Sequence, residues 1–277
     1  MPELPEVESL RRILARTAVG RTIERVRIAE PRLRRKVAHG FAAGVEGRRI
    51  LRLGRRAKYL IIELSDGAAM LVHLGMSGSL THRGIDFDAA EFAARHDHLE
   101  FALDDRTRLV YNDPRRFGLI RLVPRGELPS TPELAGLGPE PLSAAFNAEY
   151  LARIARGRRA AIKNLIMDQR VVAGIGNIYA SEILFRAGVR PTRRAARVAR
   201  KELERIVAAS APILRAAISS RGTTFRSYRD AEGQPGRFAP RLMAYGREGK
   251  PCRVCGSLIR NVVVGQRASF FCPRCQR

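Results

Sequence analysis

The chain has 277 residues, with 51 Lys and Arg against 27 Asp and Glu, a net charge of +24. That length suits two or three modules, and a 45% hydrophobic content supplies real cores and excludes a disordered polyelectrolyte. The charge predicts a polyanionic partner, because each phosphate neutralised releases counterions. No apolar run approaches the ~18 residues of a membrane helix, and the charged, Pro-rich opening Met1-Pro2-Glu3-Leu4-Pro5-Glu6 does not read as a signal peptide. A cytoplasmic protein is expected.

Pro5 suits a first helical turn. Val7, Leu10, Ile13 and Leu14 then recur at helical spacing, so a helix starts almost at the terminus and holds it still. If Met1 is removed, Pro2 carries a free secondary amine. An α-amine has a pKa near 7.7–8, so much of it is neutral and nucleophilic, and its attack on an aldehydic carbon gives a cationic iminium. Glu3 beside it suits acid–base work. The alternative is an ordinary start with Pro in a first turn.

From about Thr22 to Val123 the pattern changes to short apolar runs cut by turns. Tyr59–Leu64 leads to Met70–Leu74, and Leu99–Leu103 leads to Leu109–Tyr111. These runs predict hairpins of a β-sandwich or barrel, and Arg83–His98 reads as a loop. Lys58 enters one strand, as a phosphate or proton-transfer group or as part of a basic face. Met76 in HLGMSG, and Arg115 with Phe117 in NDPRRFG, sit on Gly-punctuated turns. Met76 suits either a wedge in a base stack or core filler, and Arg115 with Phe117 suit either insertion and pairing with an orphaned base or plain loop anchoring.

Pro124–Pro141 reads as a linker. Helical stripes follow at Phe146, Tyr150, Leu151 and Ile154, at Ile162, Leu165 and Ile166, at Ile178, Ile183 and Leu184, and from Leu203 to Ile218. Glycines before the third stripe, with Asn177, suggest a phosphate site at a helix start. Arg153, Arg156, Arg158, Arg159 and Lys163 form a basic run that is either a phosphate surface or a solvated face. Gly222–Tyr245 is polar and Gly-rich and reads as a mobile loop.

Cys252-x-x-Cys255 and Cys272-x-x-Cys275, sixteen residues apart, are the only cysteines. Two such knuckles predict one structural Zn²⁺ in a ribbon that has little core of its own. Two disulfides or free thiols are the alternatives. Arg260, Gln266 and Arg267 lie between the knuckles.

In order, the segments MPELPEVE, RRAKYL, HLGMSGSL, DPRRFG, LGPEPL, GIGNIYASE and CRVCG…FFCPRC resemble the formamidopyrimidine-DNA glycosylase family over essentially the whole chain. The resemblance implies an α+β multidomain fold. Its parts are an N-terminal β-sandwich with its helix (residues 1–130), a helix–two-turn–helix module (131–222), a lesion-recognition loop and connector (223–245) and a zinc finger (246–277). It implies a bifunctional glycosylase and abasic-site lyase that excises oxidised purines from double-stranded DNA, acting as a monomer. Pro2 matches the family's Schiff-base nucleophile and Glu3 its acid/base. Lys58 matches the proton donor of β-elimination, and Arg267 that of δ-elimination. Met76, Arg115 and Phe117 match residues that fill the space of the flipped nucleotide. His96, Arg115, Arg158, Lys163 and Asn177 fall where the family contacts DNA. A non-catalytic DNA-binding protein on the same scaffold and an RNA-directed zinc-ribbon factor are the competing classes. Neither gives Pro2, Glu3 and Lys58 together a role.

Overall fold

A computed structural model describes residues 2–84, 95–225 and 228–277. The chain divides into two compact units, Met1–Ala135 with Ile218–Ala239, and Gly136–Ala217 with Pro240–Arg277.

The first unit opens with α1 (Leu4–Thr17), led by Pro5 as expected. Val7, Leu10, Ile13 and Leu14 form its buried stripe. Eight strands follow: β1 (Ile23–Ile28), β2 (Ile50–Arg56), β3 (Tyr59–Leu64), β4 (Ala69–His73), β5 (Ser79–Arg83), β6 (Asp97–Leu103), β7 (Arg108–Asn112) and β8 (Leu119–Val123). They form two antiparallel four-stranded sheets, ordered β1-β6-β7-β5 and β2-β3-β4-β8.

One core serves both sheets and the helix. It takes Val26, Leu99, Phe101 and Tyr111 from the first sheet, and Leu53, Leu60, Ile62, Met70 and Ile120 from the second. Strand side chains alternate between faces, so Ile61, Leu71 and Leu119 point to the opposite face. There they pack with Tyr59, Leu128 and Leu134. Burial on both faces explains the nearly unbroken apolar run of β3. The segment expected as a loop from Arg83 to His98 gives its two ends to β5 and β6. Its residues 85–94 lie outside the described residues.

The second unit carries α2 (Ala148–Ala155), α3 (Ile162–Met167), α4 (Asn177–Ala187) and most of α5 (Arg200–Ser219), then β9 (Arg260–Val264) and β10 (Arg267–Phe271). The helices fall on the four apolar stripes. Between β9 and β10, Gly265 and Gln266 both take positive φ, 57° and 60°. A two-residue hairpin turn of this kind matches the strand twist.

The stretch expected to be a mobile loop from Gly222 is anchored in its described part. The buried Asp230 carboxylate accepts from Glu232 N (3.0 Å), Gln234 N (2.9 Å) and Arg221 (3.0 Å). Ala231 sits in the sandwich core, and its carbonyl accepts from His82 N at 2.7 Å. An internal carboxylate organises this turn, so its polar sequence did not imply looseness. Residues 226 and 227 lie outside the described residues.

Candidate active site and DNA-contact residues

Pro2 is buried at the head of α1, and Glu3 is 1% exposed. The Glu3 amide donates to Glu6 Oε2 at 2.8 Å, half of a capping box. The other carboxylate oxygen of Glu6 accepts from Thr223 N at 2.8 Å, and Tyr228 donates its hydroxyl to the Glu6 carbonyl at 3.1 Å. Gly222 makes this approach possible, since a Cβ there would lie 2.9 Å from Glu6 Cγ. Glu6 thus ties the turn that follows Pro2 to the start of the 223–245 segment. Sequence reasoning assigned Glu6 no role. Its position three residues after the helix cap was a local signal, and its partner 217 residues later was not.

Lys58 lies on the two-residue turn between β2 and β3, where Arg56 pairs with Tyr59. It is 7% exposed. Ala57 holds a φ of 53°, a conformation that side chains rarely adopt. Arg55 pins this turn to α1, donating to the Ala57 carbonyl (2.9 Å) and pairing with Glu8 (3.3 Å). Burial works to raise the Glu8 carboxyl. Hydrogen bonds from Arg11 and Arg12, with the charges of Arg11 and Arg55, outweigh it and hold the group near 2. The helix that follows Pro2 and the turn bearing Lys58 therefore share one ionic clamp.

His73 ends β4. Burial, joined by the charges of Lys58 and Arg34, pushes its imidazole down to about 4. The neutral ring accepts from Gly75 N through Nδ1 at 3.0 Å and so shapes the turn that presents Met76. A base with a depressed folded pKa stabilises the fold above its unfolded value, near 6.5. That stability is lost as pH falls from there toward 4. The expected loss is on the order of 3 kcal/mol across this window. Urea midpoints at pH 7 and pH 4.5 measure it. His73→Asn, which keeps an acceptor without the titration, should show a smaller drop than the parent.

Met76, Arg115 and Phe117 are brought together on one unit. Phe117 is 44% exposed, unusual for a large apolar side chain, and the Arg115 guanidinium lies 4.6 Å above its ring. Gly118 permits the turn: a Cβ there would stand 1.6 Å from the Tyr111 hydroxyl oxygen. His96, beside this turn, is half-buried.

In the second unit, Arg158 is exposed between α2 and α3, and Arg267 is exposed at the start of β10. Lys163 departs from expectation. It is fully buried, and its amine donates to the Ala268 carbonyl (3.0 Å) and the Ser269 hydroxyl (2.6 Å). Neither a phosphate contact nor a solvated face describes it. A buried ammonium needs such partners, and here they are supplied by β10. Asn177 donates to the same Ala268 carbonyl at 3.0 Å. The two side chains therefore hold the strand that carries Arg267. At the expected phosphate site before α4, Gly174 N is already engaged by Gln169 Oε1 at 2.8 Å.

The contrast gives a measurable outcome. Log affinity for DNA falls with log salt at about −0.9 per phosphate contact. Arg158→Ala should reduce that slope by about one unit. Lys163→Ala should leave the slope and lower stability by about 1–3 kcal/mol, because its acceptors stay buried. A unit drop in slope for Lys163→Ala would return it to the phosphate surface.

The four thiols gather within 4.8 Å of one another. Cys252 and Cys275 Sγ are 3.9 Å apart, and Cys255 and Cys272 Sγ 3.4 Å. Those separations exclude disulfides, whose S–S is ~2.05 Å. They match the edge of a thiolate tetrahedron around zinc, about 3.8 Å for metal–sulfur bonds of ~2.3 Å. All four donors are protein atoms, so the fit is to a closed, structural Zn²⁺ site.

A two-sheet unit led by a proline-headed helix is followed along the chain by a helical unit ending in a four-thiol ribbon. Family models match along the chain: the formamidopyrimidine-DNA glycosylase N-terminal domain at residues 1–120, the H2TH domain of that enzyme at 137–229, and a zinc finger found in FPG and IleRS at 249–277. A formamidopyrimidine-DNA glycosylase of Halorhodospira halophila is 48% identical, with both chains covered completely. Among solved structures, a complex of Lactococcus lactis Fpg with abasic-site DNA superposes with a TM-score of 0.91 at 31% identity, covering 99% of each chain. MutM bound to DNA containing carbocyclic 8-oxo-G does so with a TM-score of 0.90 at 30% identity, covering 100% of each. The chain belongs to the formamidopyrimidine-DNA glycosylase family.

Proposed function

We propose that the protein is a bifunctional DNA glycosylase and abasic-site lyase of base-excision repair that removes 8-oxoguanine and formamidopyrimidines. The observation that carries this reading is the anchored N-terminus, where the Glu3 amide that follows the buried Pro2 is held by Glu6 and the Lys58 turn is clamped to the same helix through Arg55 and Glu8.

The Pro2 nitrogen attacks C1′ as the base departs with a proton, and the sugar opens to an iminium. Glu3 exchanges the protons of ring opening. The iminium acidifies C2′. Loss of a proton there expels the 3′ phosphate, with Lys58 as proton donor, and a second elimination expels the 5′ phosphate, with Arg267 as donor. Met76, Arg115 and Phe117 occupy the space of the extruded nucleotide, which must leave the stack for C1′ to be reached. His96 and Arg158 contact DNA; Lys163 and Asn177 serve it through β10. The zinc ribbon holds the Arg267 hairpin, and no redox cofactor enters. Among the described residues no helix is long and apolar enough to cross a membrane. The enzyme works as a monomer on intracellular DNA.

Incubation with duplexes holding 8-oxoguanine, dihydrouracil or an abasic site tests the reading. Strand cleavage at 8-oxoguanine and at the abasic site is expected. Intact strands on both would exclude the activity.

A further inference from the structure

Asp113 is 0% exposed, and its carboxylate joins two separate loops. Oδ1 accepts from the Ser77 hydroxyl at 2.9 Å and from Arg115 N at 3.3 Å, and Oδ2 accepts from Gly118 N at 2.8 Å. Its backbone extends the junction. Asp113 N donates to the His96 carbonyl at 3.1 Å, and its own carbonyl accepts from Arg116 N at 3.1 Å and from His98 Nε2 at 2.8 Å. The loops also touch directly, since a Cβ on Gly75 would lie 2.5 Å from the Phe117 carbonyl carbon and 2.6 Å from Gly118 N. Within the turn, Arg116 holds a φ of 55°. Such strain persists where the surroundings over-determine it.

We propose that Asp113 is a positioning residue that locks the Met76 loop, through Ser77, to the Arg115–Phe117 turn, so that all three side chains enter the duplex as one wedge. The proposal rests on the reading that these side chains fill the space of the extruded nucleotide. A carboxylate suits the junction because donors from both loops converge on it out of water. An amide would turn an NH₂ against one of them. Two independent loops would each lose conformational entropy on entering the stack. One pre-joined unit loses it once, at folding.

Ser77→Ala cuts the side-chain tie and leaves Asp113 inside its own turn. Ser77→Thr keeps a hydroxyl. Single-turnover excision of 8-oxoguanine opposite cytosine is compared with cleavage of a preformed abasic site. Ser77→Ala should slow excision by about tenfold, the scale of one hydrogen bond to a charged acceptor. Cleavage at the abasic site, already unstacked, should change by less than about twofold. Ser77→Thr should restore excision, and 2-aminopurine opposite the lesion should report slower entry in Ser77→Ala alone. Phe117→Ala is the control for the underlying reading. Parental excision by Ser77→Ala, with Phe117→Ala selectively slow, overturns the junction and leaves the wedge standing. Equal slowing of Ser77→Ala on both substrates overturns the junction as well. No selective loss in Phe117→Ala or Met76→Ala overturns the wedge and the junction together. Asp113→Asn is expected to lose stability too, so the Ser77 pair carries the test.

Discussion

Blocking the Pro2 amine is expected to abolish both steps. With Met1 retained, or any N-terminal extension, the Pro2 nitrogen is an amide and has no nucleophilic lone pair. Strand cleavage at 8-oxoguanine should fall by on the order of 10³-fold or more, the scale of losing a covalent nucleophile. DNA binding should persist, because the phosphate contacts are untouched. With a free terminus, borohydride should reduce the iminium and fix protein to an 8-oxoguanine oligonucleotide as one covalent species. Peptide mass spectrometry should place the adduct on Pro2. Lys58 is the rival amine. It is 7% exposed on the turn clamped to α1. An adduct on Lys58, or full activity with a blocked terminus, excludes the mechanism proposed here.

The second large effect concerns the metal. The ribbon's own core is small: Cys252, Cys272 and Ile259, with Ala244 and Phe185. Thiolate–zinc bonds must therefore supply most of its folding free energy, apparent values being roughly 10–16 kcal/mol for such sites. Cys255→Ser should release the metal and unfold residues from about 250 onward. The N-terminal unit should stay folded, since its core draws on α1 and both sheets. DNA affinity should drop and second-step elimination should fail, because the β9–β10 hairpin no longer presents Arg267. Zinc content, circular dichroism and a gel-shift titration measure the three consequences. Stoichiometric zinc with parental affinity in Cys255→Ser would count against the ribbon.

The proline-led helix, the alternating strands and the cysteine knuckles were legible because each is a local pattern. Helical period, strand period and ligand spacing are properties of neighbouring residues. Seven ordered segments carried the family in the same way. Lys163 shows where that kind of reading stops. In sequence it belongs to a basic run. In the fold its amine is sealed against Ala268 and Ser269, more than a hundred residues away. Nothing within α3, six residues long, distinguishes a buried lysine from a solvated one. The described part of the segment after Gly222 is anchored for a related reason: Asp230 is polar in sequence but faces inward and collects donors from its own loop and Arg221.

Charge, periodicity and spacing by themselves determined a basic protein with β-hairpins followed by helices, and two cysteine knuckles spaced for one zinc. Tertiary structure alone decided which polar groups face inward. The Glu6 bridge to Thr223, the Arg55–Glu8 clamp under Lys58 and the Asp113 junction between two loops all join residues distant in sequence. A buried polar side chain must find its hydrogen-bond partners wherever the fold brings them, and composition and local pattern carry no record of that meeting.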